Sequence, residues 1–411
     1  MDFIQKIENL PFIINFKRKL RKKDYLNSTY VAKETAELFL ELIQSSIKEK
    51  SINNFAELIL LVTHFGKMFT AIDPVQFCTG NTIKRILHII REELKGSIVE
   101  DKKDFDKKQE IIFEKIKETK KNIKKIRDFY FSEIEEKSKI LKEKDIKGSE
   151  DDIEEESGSE KTSTQKLYEI QKIKLDIPIS ETNKNNIIAN MQALISEIDN
   201  ISISIVNQKE INGLINDGDI ILTSNYSQQV AEILEENSKT KKFKVLVAES
   251  APLFNKKSQA DYLIGKKINT TIIEDDDVYD IMSKMNKVKV LIGARAILVN
   301  GGLITYGGAY NICLAANMFS IPVIIAGGST KLTPMHAFKH DLYNEFLSPD
   351  KIFGKNVKYE GDISSLQFNN PSFDYVPPNL ITMYATNYGI INPIYLYRLF
   401  ADMYDQEDYE I

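Results

Sequence analysis

The side chains best suited to metal binding or nucleophilic chemistry are four histidines and two cysteines. His336 and His340 stand four positions apart, but two imidazoles alone are too few for a zinc site, and a surface pair is the favoured interpretation. Cys78 and Cys313 lie far apart in the sequence, which predicts neither a disulfide framework nor a cysteine metal cage. We therefore expect no metal and no cofactor.

An acidic run and three glycine turns are the other local motifs that could do chemistry. The run EDDD at 274–277 lies between an apolar segment and a helical pattern, so we expect it to complement a helix dipole, with metal or partner recognition as the minority alternative. The turns at 301–302, 307–308 and 327–331 could present N–H groups to a phosphate, although tight turns alone explain such glycines. The standard phosphate-loop, dinucleotide, nucleophile-elbow and zinc-protease motifs are missing from the sequence.

Short apolar runs alternate with amphipathic stretches throughout the C-terminal half. The runs occupy 219–223, 243–248, 270–273, 288–293 and 321–326, and the amphipathic stretches include 229–236, 258–264 and 310–318. This alternation predicts a doubly wound parallel sheet of the Rossmann-like type. Because ligands bind where parallel strands end, four segments are expected to share one rim, namely 223–227, 249–252, 293–302 and 327–331.

The N-terminal part has helical rather than strand periodicity. Apolar residues recur at helical spacing over 34–94, which predicts a helical bundle in which Asn81 or Thr82 caps the third helix. A Lys- and Glu-rich stretch follows and passes into an acidic, serine-bearing tract, which is typical of a charged insertion. The predicted organisation is a helical domain at 1–96, a charged and largely flexible insertion at 97–183, a connecting helix at 184–207 and a Rossmann-like domain at 208–411.

Composition places the chain among soluble globular proteins. Its 411 residues are 42% hydrophobic and 28% charged, and the net charge of -5 gives no general attraction to nucleic acid or anionic lipid. Charges interrupt every apolar stretch before the roughly 18 to 20 residues that a membrane span needs. The first residues lack the pattern of a signal peptide, so a cytosolic location is expected.

Four segments of the C-terminal half have a distinctive sequence: LTSNYS at 222–227, VAESAP at 247–252, IMSKMNKV at 281–288 and LVNGG at 298–302. They resemble one known family, the regulatory subunits of eukaryotic translation initiation factor 2B. Four further segments are similar specifically to the beta-type members: FGKMFTAI at 65–72, ILHIIREE at 86–93, FDYVPPNLIT at 373–382 and NPIYLYR at 392–398. The resemblance covers most of the chain outside the charged insertion.

The same fold is shared with sugar-phosphate isomerases of the methylthioribose-1-phosphate type, and the resemblance implies which residues to compare. Asn225 stands where those enzymes have a catalytic cysteine, Arg295 where they have a catalytic aspartate, and Ala251 where they have a phosphate-binding arginine. An arginine cannot exchange protons near neutral pH. We therefore expect no catalytic residue and a vestigial ligand pocket formed by Asn225, Glu249, Arg295, Asn300 and Gly301.

The resemblance implies a non-catalytic regulatory subunit of the guanine-nucleotide exchange complex for initiation factor 2. It would pair with a delta subunit, join alpha, gamma and epsilon subunits, leave exchange to epsilon, and help to sense phosphorylation of the alpha subunit of initiation factor 2. The expected interface residues are Tyr375, Tyr395, Tyr397 and Arg398, of types common at interfaces, although a packed core would use tyrosines equally well. If the outer face of the sheet is apolar, a partner subunit is also needed to cover it. The alternatives are a sugar-phosphate isomerase and a nucleotide or sugar-phosphate binding module.

Overall fold

The computed structural model describes residues 7–23, 27–48, 52–100, 178–251, 256–336, 344–348 and 369–409. Its N-terminal region is helical. The helices are α1 (Pro11–Lys22), α2 (Ser28–Lys48), α3 (Phe55–Ile72), α4 (Phe77–Glu100), α5 (Glu181–Val206) and the short α6 (Lys209–Asn212). The third predicted helix begins at Phe77, before the expected caps. Asn81 instead lies inside α4, where its Nδ2 donates to the Thr330 carbonyl and to Thr333 Oγ1, each at 2.9 Å.

The chain divides into two compact units, and the dividing points fall inside the long helices. The helical unit contains the described parts of Met1–Ile14, Leu38–Met68 and Ile86–Gln192. The sheet unit contains those of Asn15–Glu37, Phe69–Arg85 and Ala193–Ile411. The boundaries of these two units differ from the predicted domain boundaries. The predicted domain division stays a prediction.

Within the helical unit, the two sides of the charged insertion lie together. Ser97, near the end of α4, accepts a hydrogen bond from Asn183 Nδ2 of α5 at 2.9 Å. One turn away, the carboxylate of Glu93 accepts from Asn186 and Asn190 of α5. Most of the predicted insertion, residues 101–177, lies outside the described residues. The described residues on the two sides of this segment therefore contact each other within the helical unit.

One helix of the described residues has the length and apolarity of a membrane span. Helix α3 reaches a mean hydropathy of 1.4 over 18 residues, and half of it is buried. The expectation that no apolar segment reaches this length is therefore wrong for α3. Its buried apolar side chains and the polar residues Glu57, His64 and Lys67 are the pattern of a core helix.

The sheet unit contains the predicted doubly wound sheet. In chain order its elements are β1 (Ile220–Ser224), α7 (Gln228–Ser238), β2 (Lys244–Ala248), α8 (Lys256–Gly265), β3 (Asn269–Ile273), α9 (Asp277–Lys284), β4 (Val288–Gly293), β5 (Ala296–Leu298), β6 (Leu303–Tyr306), α10 (Ala309–Met318), β7 (Val323–Ala326), β8 (Leu332–Thr333), β9 (Phe373–Val376), β10 (Met383–Thr386), β11 (Gly389–Ile391) and α11 (Leu396–Met403). The main sheet has the order β11-β10-β7-β4-β1-β2-β3 and is parallel except for the edge strand β11. This confirms the predicted α/β fold class.

Both faces of the main sheet are covered by the chain's own helices. Alternate residues of β1 enter opposite cores, Ile221 with α5 to α8 and Leu222 with α9 to α11. The apolar strands are thus buried on both sides, as a doubly wound fold requires. The expectation that a partner must cover an apolar sheet face is therefore wrong.

A second, four-stranded sheet was not predicted. It has the order β8-β5-β6-β9 and grows from the segment between β4 and α10. Its hairpin turn carries Gly301, whose φ of 79° is favourable only for glycine and whose Cα lies against Pro393. Tyr384 of β10 is fully buried and donates from its hydroxyl to the Gly301 carbonyl at 2.8 Å.

Candidate functional site

The strand order of the main sheet reverses at β1, which pairs with β2 on one side and with β4 on the other. The chain therefore leaves the carboxyl ends of β1 and β4 in opposite directions and opens a crevice between them. The loops 224–227 and 293–295 line this crevice. Two rim segments expected from the sequence thus meet at the topological switch point.

The loop after β1 is held in an unusual conformation. Asn225 has a φ of 53°, its N–H donates to Ser250 Oγ at 3.0 Å, and its Nδ2 donates to the Gly307 carbonyl at 3.3 Å. Ser227 then caps α7. Gly293 lets this cap approach β4, because a Cβ at Gly293 would lie 2.3 Å from Ser227 Oγ. The strand end at β4 therefore requires glycine.

The acidic run after β3 supports the loop after β2. The Asp275 carboxylate accepts from the N–H groups of Ser250 and Ala251 at 2.9 and 2.8 Å. Ser250 has a φ of 60°, and its hydroxyl in turn supports Asn225. The run was expected to complement a helix dipole, and Asp276 does occupy the N-cap position of α9, although its side chain makes no capping bond. Within the run, Asp275 is the residue that braces the site.

A cavity of about 250 Å³ occupies the crevice. Polar residues dominate its lining: Asn27, Ser28, Thr29, Ser202, Ser224, Asn225, Tyr226, Ser227, Gln228, Gln229, Gly293, Ala294, Arg295, Thr305, Tyr306 and Lys331. Among these described residues there are two cations and no carboxylate, imidazole or thiol. The lining therefore offers hydrogen-bond donors and positive charge but no nucleophile paired with a base.

The two cations of the cavity are held by neutral groups. Lys331 is only 6% exposed, and its Nζ donates to Gln229 Oε1 at 3.0 Å. Burial lowers the pKa of Lys331 to about 8, and the Arg295 guanidinium acts in the same direction. Arg295 donates from Nη2 to the Val75 carbonyl at 3.2 Å and lies over the Phe373 ring.

The structure brings together only part of the predicted pocket. Asn225 and Arg295 both line the cavity. Glu249 follows β2 but is not among the lining residues, and Asn300 and Gly301 lie on the β5–β6 turn, where Asn300 Nδ2 donates to the Tyr375 hydroxyl at 2.9 Å. The positions of Glu249, Asn300 and Gly301 therefore do not support a role in ligand binding.

Sequence reasoning missed several lining residues. Lys331 and Gln229 come from segments about 100 residues apart, and Ser28 and Thr29 come from the start of α2. For Lys331 the sequence offers one signal, the glycine turn 327–331, which is expected at the rim of the sheet. The turn does not indicate that the lysine side chain itself lines a cavity. In the described residues, no group of three or more His, Cys, Asp and Glu side chains could hold a metal ion. Cys78 and Cys313 are free and buried, and burial raises the pKa of both thiols.

The predicted interface residues lie on the surface. Tyr395 and Tyr397 are 57% and 53% exposed, and the guanidinium of Arg398 lies 5.9 Å from each ring centroid. Ile394 beside them is 75% exposed. We call Ile394, Tyr395, Tyr397 and Arg398 the C-terminal aromatic surface. Tyr375 is half-buried, and the interface role of all four predicted residues stays a prediction.

The fold and the cavity define an α/β protein of the doubly wound class, in which the described crevice residues include no carboxylate, imidazole or thiol. A family model described as the initiation factor 2 subunit family matches residues 151–393. A relative from Dictyostelium discoideum, translation initiation factor eIF2B subunit beta, is 32% identical over 394 residues, which cover 95% of this chain and 94% of the relative. The chain belongs to the initiation factor 2 subunit family.

Solved structures from Chaetomium thermophilum share the fold. The crystal structure of eIF2B beta has a TM-score of 0.62 at 18% identity and covers 99% of this chain and 97% of its own. A chain of the tetrameric eIF2B-beta2-delta2 complex has a TM-score of 0.61 at 16% identity and covers 98% of this chain and 99% of its own. The resemblance to the beta-type members, seen first in short segments, is confirmed over nearly the whole length by the 32% identity to eIF2B subunit beta of Dictyostelium discoideum.

Proposed function

We propose that this chain is a non-catalytic regulatory subunit of the guanine-nucleotide exchange complex for initiation factor 2, and that it pairs with a delta subunit. The observation that carries this proposal is the similarity to eIF2B subunit beta over 95% of the chain. Similarity from end to end preserves the whole scaffold, whereas a shared fold alone would leave the function open. The beta2-delta2 complex of the structural neighbour supports delta as the direct partner.

The cavity supports the non-catalytic part of the proposal. Carboxylate and imidazole groups are the side chains that most often take up and return the proton in such an isomerisation, and the described lining residues include neither. By the resemblance to the isomerases, Asn225 and Arg295 stand where those enzymes carry their thiol and acid. In the proposed complex, exchange chemistry belongs to the epsilon subunit, and this chain acts with delta and alpha as part of the regulatory scaffold.

The regulatory step proposed for this chain is recognition of initiation factor 2, in the cytosol, according to the phosphorylation of its alpha subunit. Alpha and gamma subunits complete the complex, and no direct contact with nucleic acid or membrane is part of the proposal. The net charge of -5 agrees with protein partners rather than a polyanion.

A reconstituted exchange assay tests this function. Complexes assembled with and without this chain are compared for nucleotide release from initiation factor 2, with the alpha subunit unphosphorylated or phosphorylated. We expect the complete complex to be inhibited by the phosphorylated substrate and the complex without this chain to lose that inhibition. Equal inhibition of both complexes would contradict the regulatory role.

A further inference from the structure

Four neighbouring strands of the main sheet begin side by side, at the edge opposite the cavity. Ile220 of β1 is in register with Lys244 of β2 and with Val288 of β4. Lys244 is in turn in register with Asn269 of β3. The starts of β4, β1, β2 and β3 therefore extend over three strand spacings, about 14 Å. We call this side of the sheet the amino edge, and the segments that lead into its strands are 216–219, 239–243, 266–268 and 285–287.

Lysines are concentrated at the amino edge, and several of them have partners. Lys239, Lys266, Lys284 and Lys289 form ion pairs with Glu236, Glu235, Asp280 and Asp219, and Lys241 donates to the carbonyl oxygens of Asn212 and Ile215. The carboxylate of Asp217 accepts the backbone N–H of Lys242 at 2.7 Å. These contacts occupy the carboxylates of the amino edge.

Four further lysines of the amino edge are left without a partner. In the part of the chain that the structure describes, no ion pair or side-chain hydrogen bond is formed by Lys242, Lys244, Lys267 or Lys287. We call these four residues the lysine row. Lys244 is half-buried and the other three are exposed. The row therefore presents positive charge to solvent, in a chain whose net charge is -5.

Two members of the lysine row stand at backbone positions that favour glycine. The φ angles of Lys267 and Lys287 are 61° and 60°. Lys267 ends α8 in a Schellman motif: its N–H donates to the Ile264 carbonyl at 2.9 Å, and the Ile268 N–H donates to the Leu263 carbonyl at 3.0 Å. Glycine is the usual residue at this position because a Cβ is unfavourable there. Strained positions of this kind are characteristic of functional sites.

The composition of the amino edge favours a polypeptide ligand over a nucleic acid. Its leading segments contain no arginine and no exposed aromatic ring, which are the groups on which nucleotide bases stack. Two exposed apolar side chains, Ile264 and Met285, come shortly before Lys267 and Lys287 in the chain. In an extended polypeptide, alternate residues lie about 7 Å apart on one face. Three acidic residues at alternate positions therefore match the length of the lysine row.

We propose that the lysine row binds an acidic, extended segment of a partner protein. Carboxylates at alternate positions of that segment pair with the ammonium groups of Lys242, Lys244, Lys267 and Lys287. Apolar side chains between them contact Ile264 and Met285. This binding does not depend on the regulatory function proposed above, because it follows from the charges of the sheet unit alone.

Fluorescence anisotropy with the full chain tests the binding. The probe is a labelled short peptide of alternating glutamate and threonine, and the reference peptide has glutamine in place of glutamate. We expect saturable binding of the glutamate peptide in low-salt buffer and none of the glutamine peptide. Replacement of all four lysines of the row with glutamine should raise the Kd about tenfold, because each exposed pair contributes little and four are lost.

The matched control removes four cations elsewhere. Lys17, Arg18, Arg21 and Lys22 form a basic cluster on α1, a few residues before the positions 27–29 that line the cavity. Their joint replacement with glutamine changes the net charge by the same amount. The affinity for the glutamate peptide should stay within about twofold of wild type, because these residues precede the part of the chain at the opposite edge of the sheet.

Lys267→Gly separates the charge of the row from its backbone. Glycine relieves the positive φ, so the melting temperature should rise, while the Kd for the glutamate peptide should rise about twofold to threefold. A lower melting temperature with unchanged affinity would show that Lys267 serves the fold, and it would overturn the proposal.

Three further results would overturn the proposal. They are the absence of saturable binding of the glutamate peptide to the wild-type chain, an equal loss of affinity in the α1 variant, and unchanged affinity in the folded variant that lacks the lysine row. Tighter binding of a labelled oligouridylate than of the glutamate peptide would assign the row to nucleic acid instead. Circular dichroism establishes that each variant is folded.

Discussion

Lys331 supplies one of the two positive charges in the lining of the cavity. It comes from a short turn after β7, yet its ammonium lies in the cavity beside residues from β1, α7 and β4. Burial lowers its pKa from 10.5 to about 8, so in the absence of an anion the charged form is less favourable in the folded chain than in the unfolded chain. Such a residue destabilises the empty fold near neutral pH.

We predict that Lys331→Met stabilises the unliganded chain at pH 7 in phosphate-free buffer. A shift from 10.5 to about 8 corresponds to about 3 kcal/mol, less the hydrogen bond to Gln229 that methionine cannot make. Because the folded-state pKa is the lower one, the cost is fully present below pH 8 and disappears as pH rises from 8 to 10.5. The gain in melting temperature should shrink over that interval.

The control for this prediction is Lys289→Met, which removes a cation that has a carboxylate partner. Loss of the pair with buried Asp219 should lower the free energy of unfolding at pH 7 by about 3 kcal/mol. In thermal melts at pH 7, we expect the melting temperature to rise for Lys331→Met and to fall for Lys289→Met. A lower melting temperature for both at pH 7 would show that Lys331 is compensated in the free chain.

At the scale of elements, the loops that shape the crevice are braced by neighbouring loops. Asp275 follows β3 and holds the loop after β2, and Ser250 of that loop holds Asn225 after β1. Three successive strand ends are thus connected by side-chain hydrogen bonds. The brace fixes Ser250 and Asn225 at positive φ, a conformation that is uncommon for serine and more accessible to asparagine.

We predict that Asp275→Ala lowers the free energy of unfolding by about 2 kcal/mol, because two backbone N–H groups lose a charged acceptor. Asp276→Ala is the matched control. It removes the next carboxylate of the same run, whose side chain makes no capping bond, and should change stability by less than about 0.5 kcal/mol. Chemical denaturation measures both, and equal effects would contradict the bracing role of Asp275.

The charged segment between α4 and α5 is predicted to be dispensable for folding. Its flanks are joined by the Ser97–Asn183 hydrogen bond and by the contacts of Glu93, so a short connection can span them. We expect replacement of residues 102–166 with a short Gly/Ser linker to leave the melting temperature and delta binding unchanged. A fall of several degrees or loss of delta would show that the segment packs.

The main sheet could be predicted from its apolar runs. The short strands of the second sheet and the cavity residues that come from distant segments could not. The apolar runs 243–248 and 288–293 match the bounds of β2 and β4 to within one residue. They could be predicted because burial on both faces makes a strand continuously apolar. Strands β5, β6, β8 and β9 have only two to four residues, too few for a period to emerge. Their hairpin carries Asn300 and Gly301 away from the cavity, and Lys331 reaches it through tertiary packing, which local sequence does not reveal.

At the scale of the whole molecule, the C-terminal aromatic surface is the interface proposed for delta. Exposed aromatic rings next to an arginine are common in the energetically important parts of interfaces. We predict that Tyr397→Ala and Arg398→Ala each weaken association with delta by about 2 kcal/mol or more, with little change in melting temperature.

Met318→Ser is the control for this interface. Met318 ends α10, is 66% exposed and belongs to another apolar surface of the sheet unit. Pull-down of purified delta should be unchanged in this variant. If Met318→Ser loses delta while Tyr397→Ala and Arg398→Ala retain it, the interface lies elsewhere.

Affinity purification of the tagged endogenous protein, followed by native mass spectrometry, tests the central claim most directly. The account predicts that delta is recovered in equimolar amount, together with alpha, gamma and epsilon subunits in one assembly. Recovery of the chain as a monomer or homo-oligomer, with none of these subunits in stoichiometric amount, would contradict its assignment as a regulatory subunit of the exchange complex.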